Sequence, residues 1–291
     1  MRLIHRLILL RYGIPPDFVL NRDPEPPDAA ASEPVAADLR RIINALKAEA
    51  FDVERGGVDY ARLRTSPVYA EYRQCAARLR TFDPAMLACR EERLAFWINL
   101  YNALIVDAVI RFGVRRSVNE VPGFFWRAAY DIGGQRYCAF DIEYGILRGN
   151  RGHPAIPGAH FGSCDLRLAY SLDRLDPRIH FALVCAARSC PPIAVYDAEQ
   201  IGAQLDGAAR AFVNNGGVEV DQDAGEVRLS QVFRWYAPDF GARPLGLGDK
   251  TPLLRYSANY LVSENARDLA LHGRPRVRFQ PYDWSLNHIS T

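Results

Sequence analysis

The sequence predicts an α+β globular protein with a single main domain, a central buried helix and a mixed or antiparallel sheet. Hydrophobic residues make up 49% of the 291 residues, enough to bury a substantial core. The segment from Glu91 to Phe112 contains neither Gly nor Pro and is largely apolar, as expected for a helix inside a core. Short strand-like segments flank turn dipeptides such as Gly133-Gly134, which predicts antiparallel hairpins.

The charge balance and the cysteines narrow the class of function. Lys and Arg total 36, Asp and Glu total 34, and the formal net charge is +2. Nucleic-acid-binding proteins usually carry a stronger positive charge, so we expect no nucleic-acid partner. The cysteines lack a CxxC pair and zinc-ligand spacing with histidines. We therefore expect neither a metal nor a cofactor. We also expect the cysteines to be reduced thiols, as is usual in a cytoplasmic protein. They are Cys75, Cys89, Cys138, Cys164, Cys185 and Cys190.

An N-terminal amphipathic helix and a Pro-rich linker, residues 1–34, precede the predicted globular domain of residues 35–291. Charged residues interrupt the first apolar run, which is atypical of a signal peptide. We expect this helix to dock on the protein, with contact to an anionic membrane as the alternative. Asn21 to Pro34 is rich in proline and predicts an extended linker. The apolar face of the helix consists of Leu3, Ile4, Leu7 and Ile8, opposite Arg2, His5 and Arg6.

The predicted central helix ends at Gly113, a residue that commonly terminates helices, and carries two amides on one face. Asn99 and Asn102 are three residues apart, so both point toward the same neighbour. Buried amides require hydrogen-bond partners. They belong either to a structural network that holds a neighbouring loop or to a substrate contact, and the structural network is the favoured interpretation.

The segments after the central helix alternate between hairpins and short helices. Tyr130 to Phe140 predicts a hairpin, and Asp141 is placed to cap a short helix that Gly149 ends. The continuous apolar run from Ile179 to Ala187 predicts a central strand covered on both faces, with His180 as its only polar side chain. The remaining predictions are helices over Val35–Ala50, Ser66–Leu79, Asp197–Val213 and Pro252–Leu271, a hairpin of Val218–Val220 with Glu226–Leu229, and a strand over Val277–Gln280.

Several motifs in a fixed order resemble one known family. They are Phe96-Trp97-Ile98-Asn99-Leu100-Tyr101-Asn102-Ala103-Leu104, Asp141-Ile142-Glu143-Tyr144-Gly145-Ile146-Leu147-Arg148, Asp176-Pro177-Arg178-Ile179-His180-Phe181-Ala182-Leu183, Cys185, Ser189-Cys190-Pro191-Pro192 and Trp235-Tyr236-Ala237-Pro238-Asp239-Phe240. Together they resemble the family catalogued as domain of unknown function 547, with a motif core at about residues 88–241. The resemblance implies no assigned activity and suggests a site of Glu, His and Cys. Val184 and Ala186 stand where many relatives have Asn and Gly, so it implies no role for them.

A carboxylate, an imidazole and a thiol are the parts of an acyl-transfer site, and Glu143, His180 and Cys190 could supply them. We expect Glu143 and His180 to share a hydrogen bond. Cys190 lies in a loop after Arg188 and ahead of a helix, a setting that lowers the pKa of a thiol. Cys185 lies in the predicted strand, where burial raises the thiol pKa. A regular strand would place His180 and Cys185 on opposite faces, roughly 16 Å apart at about 3.3 Å per residue.

Structural roles are the alternative for each candidate. His180 suits a hydrogen-bonded core histidine, Glu143 a first-turn carboxylate and Cys190 a packed small residue. Trp235 and Tyr236 suit the lining of a core or groove. Four further candidates for substrate binding or for a structural network are Arg148, Arg178, Ser189 and Cys185. For Arg148 and Arg178 the favoured role is a structural salt bridge to Glu143 or Asp176.

Two hypotheses of function follow from these residues. The first is a thiol-dependent amidase, peptidase or transferase with a cysteine-peptidase-like fold, whose partner is a peptide or amide substrate. The second is a non-catalytic module that binds a peptide or a partner protein in a groove. An enzyme requires a solvent-accessible thiol within reach of an imidazole, whereas a binding module requires only the groove. The sequence defines no oligomeric state.

Overall fold

The chain forms two compact units, whereas the sequence predicted one main core. The computed structural model describes residues 2–23, 35–52, 57–154, 156 and 158–289, so most of the predicted linker, residues 24–34, lies outside the described residues. The first unit comprises Met1–Leu175, Leu183–Ile201 and Trp284–Thr291, and the second comprises Asp176–Ala182 and Gly202–Asp283. The chain passes between the units four times, at residues 175/176, 182/183, 201/202 and 283/284. The first two crossings lie at the ends of the segment Asp176–Ala182, inside a motif that the sequence treats as one piece.

The first unit is mainly helical, with two small antiparallel sheets. Its helices are α1 (Leu3–Arg11), α2 (Val35–Ala50), α3 (Tyr60–Thr65), α4 (Pro67–Arg78), α5 (Arg90–Phe112) and α6 (Phe124–Arg127). Strand β1 (Phe51–Asp52) pairs with β2 (Gly57–Val58), and β3 (Ala129–Ile132) pairs with β4 (Gln135–Cys138). A π-helix spans Asp141–Leu147, and 3₁₀ turns span Leu79–Thr81, Pro84–Met86, Val118–Glu120, Leu166–Tyr170 and Ala198–Gln200.

Helix α5 forms the centre of the first unit, which confirms the predicted buried helix. Every residue from Leu94 to Ile110 is buried, including Asn99, Asn102 and Asp107. The helix is long and apolar enough to cross a membrane, but 94% of its apolar window is buried within the protein. Gly113 adopts φ 64° and ends the helix, a left-handed conformation that glycine adopts without a Cβ clash. Helix α5 is therefore a core helix around which the other elements pack.

The second unit has its own aromatic core and a three-stranded sheet. Its helices are α7 (Ile201–Phe212), α8 (Gln231–Trp235), α9 (Thr251–Ala258) and α10 (Glu264–His272), and α7 begins at the last residue of the first unit. Its strands are β5 (Val218–Asp221), β6 (Glu226–Leu229) and β7 (Arg276–Phe279). A π-helical turn spans Val213–Gly217, and 3₁₀ turns span Pro177–Phe181, Ala237–Phe240 and Pro244–Gly246. Strand β6 pairs antiparallel with β5 and parallel with β7. Phe181 stacks on Phe212 with ring centroids 4.8 Å apart, and Phe233 packs 5.0 Å from Phe240.

Both predicted hairpins and the final strand are confirmed, and the mixed helix and sheet content confirms the α+β class. Gly133 and Gly134 adopt φ 58° and 74° between β3 and β4, the geometry that a two-residue hairpin turn requires. The predicted helix over residues 252–271 is interrupted and forms α9 and α10. Ser263 caps α10 by accepting the N–H of Ala266, which explains why the second helix begins anew.

The predicted strand from Ile179 to Ala187 is wrong. Its first residues belong to the 3₁₀ turn Pro177–Phe181, where the Asp176 carboxylate accepts the N–H of Arg178 at 3.1 Å. Residues 182–187 are irregular, apart from an isolated antiparallel bridge between Ala187 and Leu286. The apolar run predicted burial correctly. However, a continuous apolar run has no period that distinguishes a strand from other buried backbone.

Two local predictions near the N-terminal half also differ from the structure. Helix α1 forms as expected, but its buried residues are His5 and Leu9, while Leu3 and Leu7 are exposed. The imidazole of His5 packs against the rings of Trp126 and His160, with centroids 4.9 Å and 4.5 Å away, so the face that carries His5 is the one that docks on the protein. Asp141 begins the π-helix without capping it, because its carboxylate accepts the N–H of Cys138 at 2.9 Å.

Candidate functional site

Two thiols, five residues apart, lie in contact in the first unit. The Sγ atoms of Cys185 and Cys190 are 2.7 Å apart and are not joined by a disulfide. The backbone N–H of Cys185 donates to the Cys190 sulfur at 3.0 Å. Both residues are half-buried, so reagents in solution can approach them. An N–H directed at a sulfur favours the charged thiolate over the neutral thiol.

Backbone hydrogen bonds fix the loop that carries these thiols. The N–H of Cys190 donates to the carbonyl of Ala187 at 3.0 Å and closes a turn. The N–H of Arg188 donates to Ser285, and the carbonyl of Ala186 accepts from Asn287, so the C-terminal segment holds both sides of the turn. Ala186 adopts φ 62°, a left-handed conformation that favours glycine. The strained backbone at this position is maintained by the contacts around it.

The two amides of α5 hold the chain on either side of the thiols. Asn99 binds the backbone of Tyr196 twice, with its Nδ2 donating to the carbonyl at 2.8 Å and its Oδ1 accepting the N–H at 2.8 Å. The Oδ1 of Asn102 accepts the N–H of Val184 at 3.0 Å, directly before Cys185. These contacts form a structural network between the central helix and two loop segments. They also explain how residues 182–187 satisfy buried backbone groups without a sheet.

Glu143 lies within the π-helix and is buried beside a phenol. The hydroxyl of Tyr101 donates to Glu143 Oε2 at 3.3 Å. Burial, with the charges of Glu143 and Cys185, raises the pKa of Tyr101 well above its usual value. Burial also raises the pKa of Tyr60, with Cys190 and Cys185 as further causes. Both phenols therefore remain protonated, and each donates its single O–H to another side chain, Tyr101 to Glu143 and Tyr60 to Asn287 Oδ1 at 2.7 Å.

His180 is held by a carboxylate that the sequence did not indicate as its partner. In the second unit, His180 Nε2 lies 2.8 Å from Asp239 Oδ2, and both side chains are buried. The imidazole stacks on Tyr236 with centroids 3.8 Å apart, and its edge faces Phe240 at 5.7 Å. Asp239 accepts the Nε2 proton and thereby fixes the ring orientation and tautomer. The only sequence signal for this pairing was a carboxylate inside the aromatic segment Trp235 to Phe240.

The contact predicted between Glu143 and His180 stays a prediction, and the two residues belong to different units. Glu143, Cys185 and Cys190 lie in the first unit, and His180 lies in the second. The structure gives Glu143 a phenol as partner and gives His180 a carboxylate, Asp239. The distance of roughly 16 Å expected between His180 and Cys185 assumed a strand, which is absent from the described residues 179–187.

The environments predicted for the two thiols need correction. Cys185 lies in an irregular segment and is half-buried, so it is not the inert strand residue that the sequence suggested. Helical structure after Cys190 begins only at Ala198, too far along the chain for a helix N-terminus to act on Cys190 through the adjoining backbone. The group that the structure directs at the Cys190 sulfur is instead the backbone N–H of Cys185.

The remaining candidates occupy structural or peripheral positions. Arg148 is buried, donates to the carbonyl of Gly152 and lies over the ring of Tyr144 at 5.3 Å. Arg178 forms ion pairs with Asp176 at 2.6 Å and with Asp206 at 2.8 Å within the second unit. Ser189 is half-buried between Arg188 and Cys190. Asp176 is therefore the partner of Arg178, as the salt-bridge interpretation proposed.

A second buried polar cluster lies under α1. The ligand-type atoms of His5, Asp141 and His160 are all within 4.8 Å of one another, a spacing that a metal ion can bridge. However, the guanidinium of Arg167 lies 3.0 Å from Asp141 and already neutralises its carboxylate. His160 Nε2 is 2.8 Å from the other carboxylate oxygen. These contacts make the cluster a structural network, which joins α1 to the start of the π-helix.

The stability of the protein should depend on pH through His5. Burial, the neighbouring His160 and the charges of Arg2 and Arg167 lower the pKa of His5 to about 4, although Asp141 raises it. The unfolded pKa is about 6.5, so the stabilising effect is complete above pH 6.5 and is lost as the pH falls toward 4. We expect a loss of about 2–3 kcal/mol in unfolding free energy between pH 7.5 and 4.5 from this residue. Urea unfolding at both pH values measures it.

The matched variant for this prediction is His5→Phe, which keeps an aromatic ring against the cluster and removes the titrating group. It should lose less stability on acidification than the natural chain. Equal losses in the two proteins would assign the acid sensitivity to other groups.

The comparison with protein families gives one match. The family model described as "Protein of unknown function, DUF547" matches residues 84–213, a range that includes α5, the π-helix, His180 and both thiols of the pair. No curated protein and no solved structure matches the chain.

Proposed function

We propose that the protein, whose residues 84–213 match the family model described as "Protein of unknown function, DUF547", is a thiol-dependent acyl-transfer enzyme. The observation that supports this proposal is the environment of Cys190. Its sulfur accepts a backbone N–H at 3.0 Å, and the residue is half-buried on a turn fixed by backbone hydrogen bonds. A positioned sulfur that favours the thiolate has the properties of a nucleophile.

The proposed reaction is an acyl transfer from a peptide or amide substrate. The Cys190 thiolate attacks the carbonyl carbon, and the leaving amine takes a proton from a general acid, the role that the sequence predicts for His180. Water or a second amine then attacks the thioester and regenerates the thiol. Within the second unit Asp239 orients His180, the role that the sequence predicted for Glu143. Glu143 lies in the first unit, where its carboxylate accepts from Tyr101.

A specific feature also supports the alternative, a non-catalytic module for a peptide or partner protein. A groove of about 630 Å³ lies along α1 in the first unit, and several large apolar side chains line it, including Leu7, Phe125, Phe140 and Ile156. Apolar grooves of this kind accept peptide side chains. This function requires no reactive thiol, so the chemistry of Cys190 separates the two hypotheses.

Alkylation of Cys190 tests the catalytic proposal. The full chain is reduced, treated with iodoacetamide at pH 7 and digested with trypsin, and the labelling rate is measured on the peptide of residues 189–210. If the imidazole stabilises the thiolate, His180→Ala should slow the labelling about tenfold. Asp239→Asn should shift the pH profile of labelling, because it alters the imidazole that Asp239 contacts.

The matched control is His272→Ala, which removes an exposed histidine at the end of α10. It should leave the rate unchanged, and circular dichroism should show that all variants are folded. A rate for His180→Ala equal to that of His272→Ala would remove the proposed base and favour the interaction module.

A further inference from the structure

The contact between Cys185 and Cys190 has a chemical consequence that does not depend on acyl transfer. Their sulfur atoms are 2.7 Å apart, so a movement of roughly 0.7 Å would reach the disulfide bond length of about 2.05 Å. The remaining cysteines differ in environment, because Cys75 and Cys138 are buried and burial raises their thiol pKa values, to about 11 for Cys75. The close pair thus combines proximity with access to solution.

The loop between the two cysteines is already fixed in the geometry of a closed ring. Ala186 and Arg188 bind the C-terminal segment through backbone hydrogen bonds, and Cys190 closes the turn onto Ala187. The Asn102 amide holds Val184, the residue before the first thiol. Because these contacts hold both cysteines while the thiols are reduced, bond formation costs little further conformational entropy.

We infer that Cys185 and Cys190 are a site of reversible oxidation, in which a hydroperoxide converts the two thiols into an intramolecular disulfide. The geometry identifies Cys185 as the thiol that resolves an oxidised Cys190. This assignment concerns a modification of the thiols themselves and holds whether or not Cys190 attacks a carbonyl.

The reaction proceeds in two balanced steps. The Cys190 thiolate attacks the hydroperoxide; an S–O bond forms, the O–O bond breaks, and alcohol or water leaves after taking up a proton. The Cys185 thiol then attacks the sulfenic sulfur; the S–S bond forms and the S–O bond breaks. The departing hydroxide takes the Cys185 proton and leaves as water. Two thiols are oxidised by two electrons and one hydroperoxide is reduced, and a small dithiol reverses the reaction.

The disulfide would also block the proposed enzyme, a consequence that rests on the proposed function. With its sulfur in a disulfide, Cys190 presents no thiolate. Alkylation of the peptide of residues 189–210 should therefore cease after oxidation and return after reduction by dithiothreitol.

The test uses the full chain with Cys89→Ser and Cys164→Ser, which removes the exposed cysteines that would link separate molecules. The reduced protein receives hydrogen peroxide and is digested with trypsin without reduction. Trypsin cleaves after Arg188, between the two thiols, so a disulfide joins the peptides of residues 179–188 and 189–210. We expect this cross-linked pair in the folded protein at a rate at least about tenfold higher than in urea, and its loss on reduction.

The control variant is Cys185→Ser, in which Cys190 has no resolving thiol and should proceed to sulfinic acid. Sulfinic acid on Cys190 without cross-linked peptides in the parent protein would overturn the inference, as would equal cross-linking rates in folded and urea-treated chains. The cross-link is read by mass and not by activity. Failure of the alkylation test for His180 would therefore leave this inference intact, and its own failure would leave the acyl-transfer proposal standing.

Discussion

Replacing Trp97 with alanine should lower the free energy of unfolding by about 3–5 kcal/mol, because it leaves a cavity in the centre of the first unit. Trp97 is fully buried on α5, with its ring 5.2 Å from Tyr137 on β4 and 5.3 Å from Phe96. The indole N–H makes no hydrogen bond among the described residues, so the loss arises from packing alone. Urea unfolding followed by circular dichroism measures the change.

The matched control for this prediction is Met86→Ala, which removes a large side chain of the same unit that is 75% exposed. It should change the unfolding free energy by less than about 0.5 kcal/mol. If the two variants unfold at the same urea concentration, α5 does not form the core of this unit.

Replacing Asp141 with alanine should cost about 3–5 kcal/mol, because it removes one partner of a buried charged network. The carboxylate contacts the Arg167 guanidinium at 3.0 Å, His160 at 2.8 Å and the N–H of Cys138 at 2.9 Å. Burial by itself would raise the pKa of Asp141, but Arg167 and His160 hold this pKa well below its usual range. Thermal unfolding at neutral pH measures the loss.

The pH dependence of this variant provides an internal check. Because the folded pKa of Asp141 is lowered, its contribution is complete above the unfolded pKa of about 3.9 and is lost as the pH falls further. The difference between the natural chain and Asp141→Ala should therefore shrink in strong acid. Asp173→Ala, at an exposed aspartate of the same unit, should be close to neutral at every pH. A similar loss in both variants would contradict the role assigned to Asp141.

The labelling and oxidation experiments test what the two thiols do. The stability variants test the buried core and the buried charged network of the first unit, which contains the thiols. Asn102 connects the two, since it extends from the core helix to the residue before Cys185. Substitutions that loosen α5 are therefore expected to affect the thiol loop as well, and stability must be measured on every variant used for labelling.

The sequence by itself determined the features that depend on local pattern. The apolar segment ending at Gly113 predicted α5, and the Gly133-Gly134 dipeptide predicted the β3–β4 hairpin, because period, capping and turn chemistry act over a few residues. The ordered motifs indicated the family that matches residues 84–213. They also indicated Asn99, Asn102 and the two thiols as candidate site residues, because polar or reactive side chains are uncommon within apolar segments.

Only the tertiary structure decided how those residues are paired. The apolar run at 179–187 has no period, and its backbone groups find their partners in the side chain of Asn102 and in the C-terminal segment instead of in a sheet. His180 and Asp239 are 59 residues apart, and nothing in either motif specifies the other. The thiols of Cys185 and Cys190 meet because a turn, and not a strand, connects them. Such pairings depend on long-range packing, for which local propensity carries no information.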